Sequence, residues 1–255
     1  MPPVEPVVAF GRSVEDYAAH RQGFPPSFFA RLEALGLARS GERVVDLGTG
    51  TGLLARALAA RGCRVVGIDC DAQMLAAAEA AGGGPSYRLA PAEATGLETG
   101  SAELVTAATC WHWFDRPAAA AEAARLLVPG GRLLVCSLDW QSLPGNVVET
   151  SGEVIRRFAG KPPPGRNTFA FPDWLGDIAG AGFGAFEAFA YSERLAYSHA
   201  GWHGRIRASA AVGPAMDAET LEAFDAAFAE ALRSRFPDEP LAVDHRIFGL
   251  VATRA

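Results

Sequence analysis

A mostly parallel β-sheet covered by helices on both faces is the fold class this 255-residue sequence predicts, on three observations. The run RVVDL (43–47) centres on Val44, Val45 and Leu47 and stops at glycines, as a strand buried on both faces does. Strand-like and helix-like segments then alternate over about a hundred residues, the pattern of a doubly wound parallel sheet. Near the end, GAFEAFAYSERLAY (184–197) and LAVDHRIFGLVATR (241–254) read as two further strands, which makes seven with the last antiparallel.

In chain order, residues 13–36 read as a helix with Tyr17, His20 and Arg21 near its start. After RVVDL comes the helix LARALAARG (54–62), stopped by Gly62, and then the strand RVVGID (64–69). DAQMLAAAEAAG (71–82) is a helix with Asp71 at its N-cap. SYRLA (86–90) and ELVTAAT (103–109) are strands three and four. PAAAAEAARLLVPGG (117–131) is a helix opened by proline and closed by Pro-Gly-Gly, followed by the strand GRLLVCSLDW (131–140). Residues 141–171, with KPPPG at 161–165, read as an insert or lid. DWLGDIAGAGF (173–183) is a helix, 198–213 a short helical insert and 217–236 a long helix.

The composition is that of a soluble globular domain, 49% hydrophobic and 20% charged. Its apolar runs are short, so no membrane span is expected, and the N-terminus does not read as a secretory signal. A cytoplasmic location follows as the expectation. The net charge is −6 and Lys161 is the only lysine, which disfavours nucleic acid as a partner. Cys63, Cys70, Cys110 and Cys136 form no CxxC pair, so they read as small hydrophobes and no metal is expected.

The first strand runs into DLGTGTG (46–52). Glycines at 48, 50 and 52 allow a tight turn and close approach of backbone to a ligand, with a helix N-terminus aimed at it. A dinucleotide fingerprint needs glycine at position 53, where Leu53 stands. Asp46 directly before the glycines is awkward beside a pyrophosphate and useful beside a cation. Asp69, at the end of the second strand, suits a ribose diol. A nucleoside carrying positive charge satisfies both acids, and S-adenosylmethionine is such a molecule.

With these residues the chain resembles the class I S-adenosylmethionine-dependent methyltransferases, a Rossmann-like family. VVDLGTGTG corresponds to the first motif, GIDCDAQML to the second and RLLVPGGRLLV to a later one, in matching order over about residues 40–138. AEATGL (92–97) followed by AATCWHWFD resembles the subgroup of trans-aconitate methyltransferases and related enzymes of small natural products. The resemblance implies that Gly48, Thr49, Gly50 and Gly52 cradle the methionine part of the cofactor with Asp46 behind them, that Asp69 holds the ribose, and that Cys70 and Met74 pack against adenine. It implies a backbone N–H from Ala92 for adenine, with Glu93 beside it, although Pro91 stands where many relatives have aspartate. Thr109 joins the cofactor set, and so do Tyr17 and Arg21, from a helix that closes over the cofactor. S-adenosylhomocysteine is the product. The implied division of one domain is a helical cap (1–40), a cofactor-binding core (41–140), inserts forming a lid and substrate pocket (141–172 and 198–213) and the C-terminal part of the sheet (173–255).

TCWHWFD (109–115) follows the fourth strand at the carboxyl edge of the sheet, where ligands of such folds bind. Trp111 and Trp113 can wall off an apolar pocket that excludes water. His112 reads either as a general base or as part of the pocket wall. Asp139 and Trp140 end the fifth strand and face the same cleft. Trp202, Arg205 and Ile206 share one helical face, from which Arg205 can clamp a substrate carboxylate. The expected activity is methyl transfer to a small molecule, with a carboxylate or hydroxyl oxygen as first choice and nitrogen or carbon left open. A monomer or homodimer is expected. Two rivals stand beside it: a nicotinamide oxidoreductase, opposed by Leu53 and Asp46, and a non-catalytic nucleoside-binding protein.

Overall fold

The computed structural model describes residues 20–159 and 172–255. Seven strands form one sheet in the order β3-β2-β1-β4-β5-β7-β6. They are β1 (Arg43–Leu47), β2 (Arg64–Asp69), β3 (Ser86–Leu89), β4 (Ala102–Ala108), β5 (Leu127–Trp140), β6 (Phe183–Tyr197) and β7 (Leu241–Arg254). Strands β1 to β5 pair in parallel, and β7 runs antiparallel between β5 and β6. Seven strands with an antiparallel last one is the architecture the sequence predicts.

Alternation along each central strand feeds two cores. Val44, Leu104, Leu134 and Cys136 pack on one face with Phe28, Leu58, Trp202, Phe224 and Phe228. Val45, Val105, Leu133 and Val135 pack on the other with Ala119, Ala123, Trp174 and Ile178. The first face is covered by helices α1 (Pro26–Ala34), α2 (Leu53–Ala59), α5 (Val147–Ala159), α7 (His199–Arg207) and α8 (Ala218–Arg235). The second carries α4 (Arg116–Leu126) and α6 (Pro172–Gly180), while α3 (Ala72–Ala80) packs beside β2 and β3. None of the described helices is long and apolar enough to cross a membrane.

Three elements depart from the sequence reading. The helix expected over 13–36 is not continuous: residues 21–25 are irregular, and α1 begins only at Pro26, after Pro25. A proline bars its predecessor from helical dihedrals and is itself suited to a first helical position. Arg21 therefore lies outside a helix, and Tyr17 falls outside the described residues. The helix expected over 117–131 ends at Leu126, and Leu127 already pairs with Ala102 of β4. Pro129 forces Val128 extended, so the strand starts before the glycines. Within 141–171, where no regular element is expected, Val147–Ala159 forms α5, with Val147, Val148, Ser151 and Ile155 buried. The KPPPG segment lies outside the described residues.

Candidate active site

The site grows from the carboxyl ends of β1, β2, β4 and β5. Asp46 sits next to last in β1, directly opposite Thr106 of β4. It is buried, and both carboxylate oxygens are satisfied: Thr106 Oγ1 donates to one at 2.6 Å and Thr49 Oγ1 to the other at 2.7 Å. Burial raises its pKa to about 6, against the pull of the two hydroxyls.

The glycine loop then turns through left-handed conformations at Gly48 (φ 62°) and Gly50 (φ 56°). A Cβ at Gly48 would lie 2.8 Å from Cys110 Sγ, whereas one at Gly50 would meet nothing within 4 Å. The loop is thus closed below and open above, as a ligand cradle must be. Asp69 braces it: one carboxylate oxygen accepts the Gly50 N–H at 2.8 Å and the other accepts the Asp71 N–H at 2.9 Å. Burial raises the Asp69 pKa as well. Asp71 caps α3 through the amides of Gln73 and Met74, as expected. Around these strand ends lie exposed Cys70, buried Met74 and buried Ala92. The Glu93 carboxylate accepts the Asp115 N–H at 2.9 Å, which ties the 90–93 loop to the start of α4.

Two cavities open at this edge. One of about 50 Å³ lies between the glycine loop and the chain before α1, and its walls include Asp46, Gly48, Thr49, Arg21 and Phe24. The other, of about 260 Å³, is walled by Trp111, His112, Trp113, Asp139, Trp140, Trp174 and Arg205 among others. Three residues belong to both: Arg21, Thr109 and Leu138. Thr109 has φ 61°, a left-handed conformation that a β-branched residue rarely adopts, and its N–H is held by the Cys136 carbonyl at 2.7 Å. Strain of this kind collects at functional sites.

TCWHWFD forms a single 3₁₀ turn at Trp111–Trp113. Trp111 is buried and its indole N–H has no hydrogen-bond partner among the described residues. Trp113 is 41% exposed, with the His112 ring 4.8 Å from its own. The Arg205 guanidinium lies 4.5 Å over the Trp140 ring. Asp139 accepts from Ser137 Oγ at 2.7 Å. Trp202 is fully buried behind this wall: it meets Trp140 edge-on at 5.5 Å and donates to Ser151 Oγ at 2.9 Å. Trp202, Arg205 and Ile206 do share a buried helical face.

Sequence reasoning overlooked Trp174 and His245. Trp174 carries no local signal beyond being a large aromatic at a helix start. His245 sits opposite Trp140 in the β5–β7 register, is 2% exposed and stacks on Tyr197 at 5.8 Å. Its Nδ1 is 2.9 Å from the Val243 carbonyl, and burial lowers its pKa to about 4. Among the described residues no three His, Cys, Asp or Glu side chains group as metal ligands.

The family described as "Methyltransferase domain" matches residues 45–135, from Val45 at the start of the glycine-loop motif to Val135 of β5. Residues 45–135 carry a methyltransferase domain. The chain is 36% identical over 163 residues to an uncharacterized methyltransferase of Mycobacterium bovis, covering 62% of this chain and 65% of that protein. It is 36% identical over 148 residues to a malonyl-acyl-carrier-protein O-methyltransferase of Enterobacter lignolyticus, covering 56% and 59%. The matched segment thus spans less than two thirds of either relative. Among solved structures, the YcgJ protein of Bacillus subtilis shares the fold with a TM-score of 0.55 at 18% identity, over 88% of this chain and 97% of that chain. The phosphoethanolamine N-methyltransferase 2 of Haemonchus contortus, solved with S-adenosylhomocysteine, gives 0.57 at 18% identity over 96% and 57%.

Proposed function

We propose that the chain transfers the methyl group of S-adenosylmethionine to an oxygen, hydroxyl or carboxylate, of a small metabolite or natural product. The observation that carries this reading is the meeting of two cavities at Arg21, Thr109 and Leu138. One cavity borders the glycine loop, and the other is aromatic and large enough for a small acceptor.

The residues present suit the cofactor. Gly50 leaves its side-chain direction open, and Asp46 supplies a buried acid beneath the loop. Gly48, Thr49, Gly50, Gly52 and Asp46 would hold the methionine part, with Thr109 and Arg21 at the boundary. Asp69 has lone pairs left for a ribose diol after bracing Gly50. Cys70, Met74, Ala92 and Glu93 would surround adenine. Bound there, S-adenosylmethionine supplies an activated methyl group on a sulfonium. The chain itself orients the acceptor, excludes water and disposes of a proton. Trp111, Trp113, Trp140 and Trp174 keep the acceptor cavity apolar. For a hydroxyl acceptor, His112 on the rim takes the proton released as the new bond forms; a carboxylate acceptor releases none. The likeness to a malonyl-acyl-carrier-protein O-methyltransferase supports oxygen as the methylated atom. The protein is read as cytoplasmic, monomeric or homodimeric.

Calorimetric titration with S-adenosylmethionine, S-adenosylhomocysteine and NADH tests this. Binding of the first two and not the third is expected, followed by label transfer from methyl-labelled donor to a panel of small acids and phenols. Binding of NADH alone overturns the reading.

A further inference from the structure

We infer that residues 20–24 form a strap that gates the cavity over the glycine loop, and that its latch is on α7, where the His20 ring sits in a notch left by Gly204. That the gated ligand is S-adenosylmethionine rests on the methyl-transfer reading above. The strap borders the cavity directly: Arg21, Gln22, Gly23 and Phe24 line it together with Asp46, Gly48 and Thr49. With the strap seated the cavity measures about 50 Å³, far below the ~300–1,000 Å³ of small-molecule sites. A nucleoside-sized ligand therefore enters or leaves when the strap lifts.

The chain beyond the strap is fixed. Phe28, Phe29 and Leu32 of α1 are buried, and Ser27 and Arg31 bond to Glu193 and Glu187 of β6. Phe24 stacks on Phe28 with ring centroids 4.1 Å apart, which joins the strap to that base. Residues 21–25 have no regular structure, so side chains hold the strap down. Gln22 Nε2 donates to the Ala196 carbonyl at 2.8 Å, and His20 packs on α7. The seat for His20 is specific: a Cβ at Gly204 would fall 2.0 Å from His20 Cδ2 and 2.4 Å from its Cγ and Nε2. Gly204 is buried inside a helix, where glycine is less favourable than alanine, and room for the His20 ring is what offsets that loss. Arg205 of α7, with Ala208, Ser209 and Ala210 just after it, lines the larger cavity. The same helix thus holds the strap of one cavity and walls the other.

Two readouts test the latch. Stopped-flow tryptophan fluorescence with S-adenosylhomocysteine measures passage through the gate. A nitroxide on Gly23→Cys, an exposed position with nothing within 4 Å of its added Cβ, measures lifting with no ligand present; Cys70→Ser removes the one exposed cysteine of the chain. Gly204→Ala pushes a methyl into the His20 ring, so association and dissociation should both quicken about tenfold, in proportion to the lifted fraction, and the label should become more mobile. His20→Ala should act in the same direction. In the His20→Ala background Gly204→Ala should change neither readout, whereas a general loosening of α7 would add to it. Gln22→Ala leaves α7 intact and should also quicken exchange. Unchanged rates and label mobility in Gly204→Ala and Gln22→Ala overturn the inference, and so do additive effects of His20→Ala and Gly204→Ala. Failure of S-adenosylhomocysteine to bind would instead sink the methyl-transfer reading, and the label in the same variants would still decide the latch.

Discussion

Thr106 and Asp46 face each other across β4 and β1, and the threonine hydroxyl donates to the buried carboxylate at 2.6 Å. Thr49 holds its other oxygen, and burial outweighs the two hydroxyls to put the pKa of this acid near 6, which places its charge under the control of pH and of any cation above the loop. A cationic ligand favours the ionised form. Its affinity should therefore rise as pH increases through about 6 and level off above, because below that value the proton must leave before the charge is available. Calorimetry with S-adenosylmethionine between acid and neutral pH reads this directly. Asp46→Asn should flatten the profile and lower the plateau, and a step that survives the substitution assigns the titration elsewhere.

The two glycines at the head of the loop should separate stability from binding. Gly48→Ala drives a methyl into Cys110 at a left-handed φ, and it should lower the unfolding free energy by about 1–3 kcal/mol. Gly50→Ala meets open space and costs only the backbone term of about 1–2 kcal/mol. With Gly50 in the proposed cofactor cradle, cofactor binding should suffer more than stability. Thermal melts beside cofactor titrations compare the two, and equal losses in both variants would contradict the cradle.

Asp69 has a bracing contact to Gly50 N–H and a proposed contact to the ribose. Asp69→Ala removes both and should weaken cofactor binding by about 1.5–3 kcal/mol, the scale of hydrogen bonds to a charged group. Unchanged affinity in the titration would remove the residue from the cofactor site.

His112 on the rim separates base from wall by its pH profile. If it takes the proton, His112→Ala should lower kcat about 100-fold or more with a hydroxyl acceptor and abolish the acid limb of the rate profile, while S-adenosylhomocysteine affinity holds. A normal kcat with a raised KM would make it a wall residue.

His245 makes stability sensitive to acid. Its folded pKa of about 4 is below the ordinary value of 6.5, so between those two the unfolded chain binds a proton that the native one refuses. Stability present at neutral pH should decline by up to about 3 kcal/mol as pH falls across that window. Urea unfolding at several pH values measures it, and His245→Phe should remove that part of the slope.

How much of this was legible beforehand varies with how the information is stored. The seven strands follow from short apolar runs bounded by glycine and acid, and β7 falls on 241–254 as read. The Pro25–Pro26 pair marks the true start of α1, but the longer apolar pattern around it hid the break. Helix α5 was missed because Thr150, Ser151 and Gly152, all buried, interrupt its apolar stripe, and Ser151 is there to receive Trp202.

The sequence by itself determined the geometry of the proposed cofactor side, because its residues are contiguous: one glycine loop, an acid before it and another at the next strand end, each positioned by local turns and capping. Only the tertiary structure completed the proposed acceptor side: strand ends already put Trp111, Asp139 and Trp140 at one cleft, but nothing in the spacing of the sequence says that Arg21 and Trp174 join them. Their meeting is fixed by the packing of α6 and α7 around the end of β5 and by the twist and register of the sheet, which are long-range properties that no local pattern encodes.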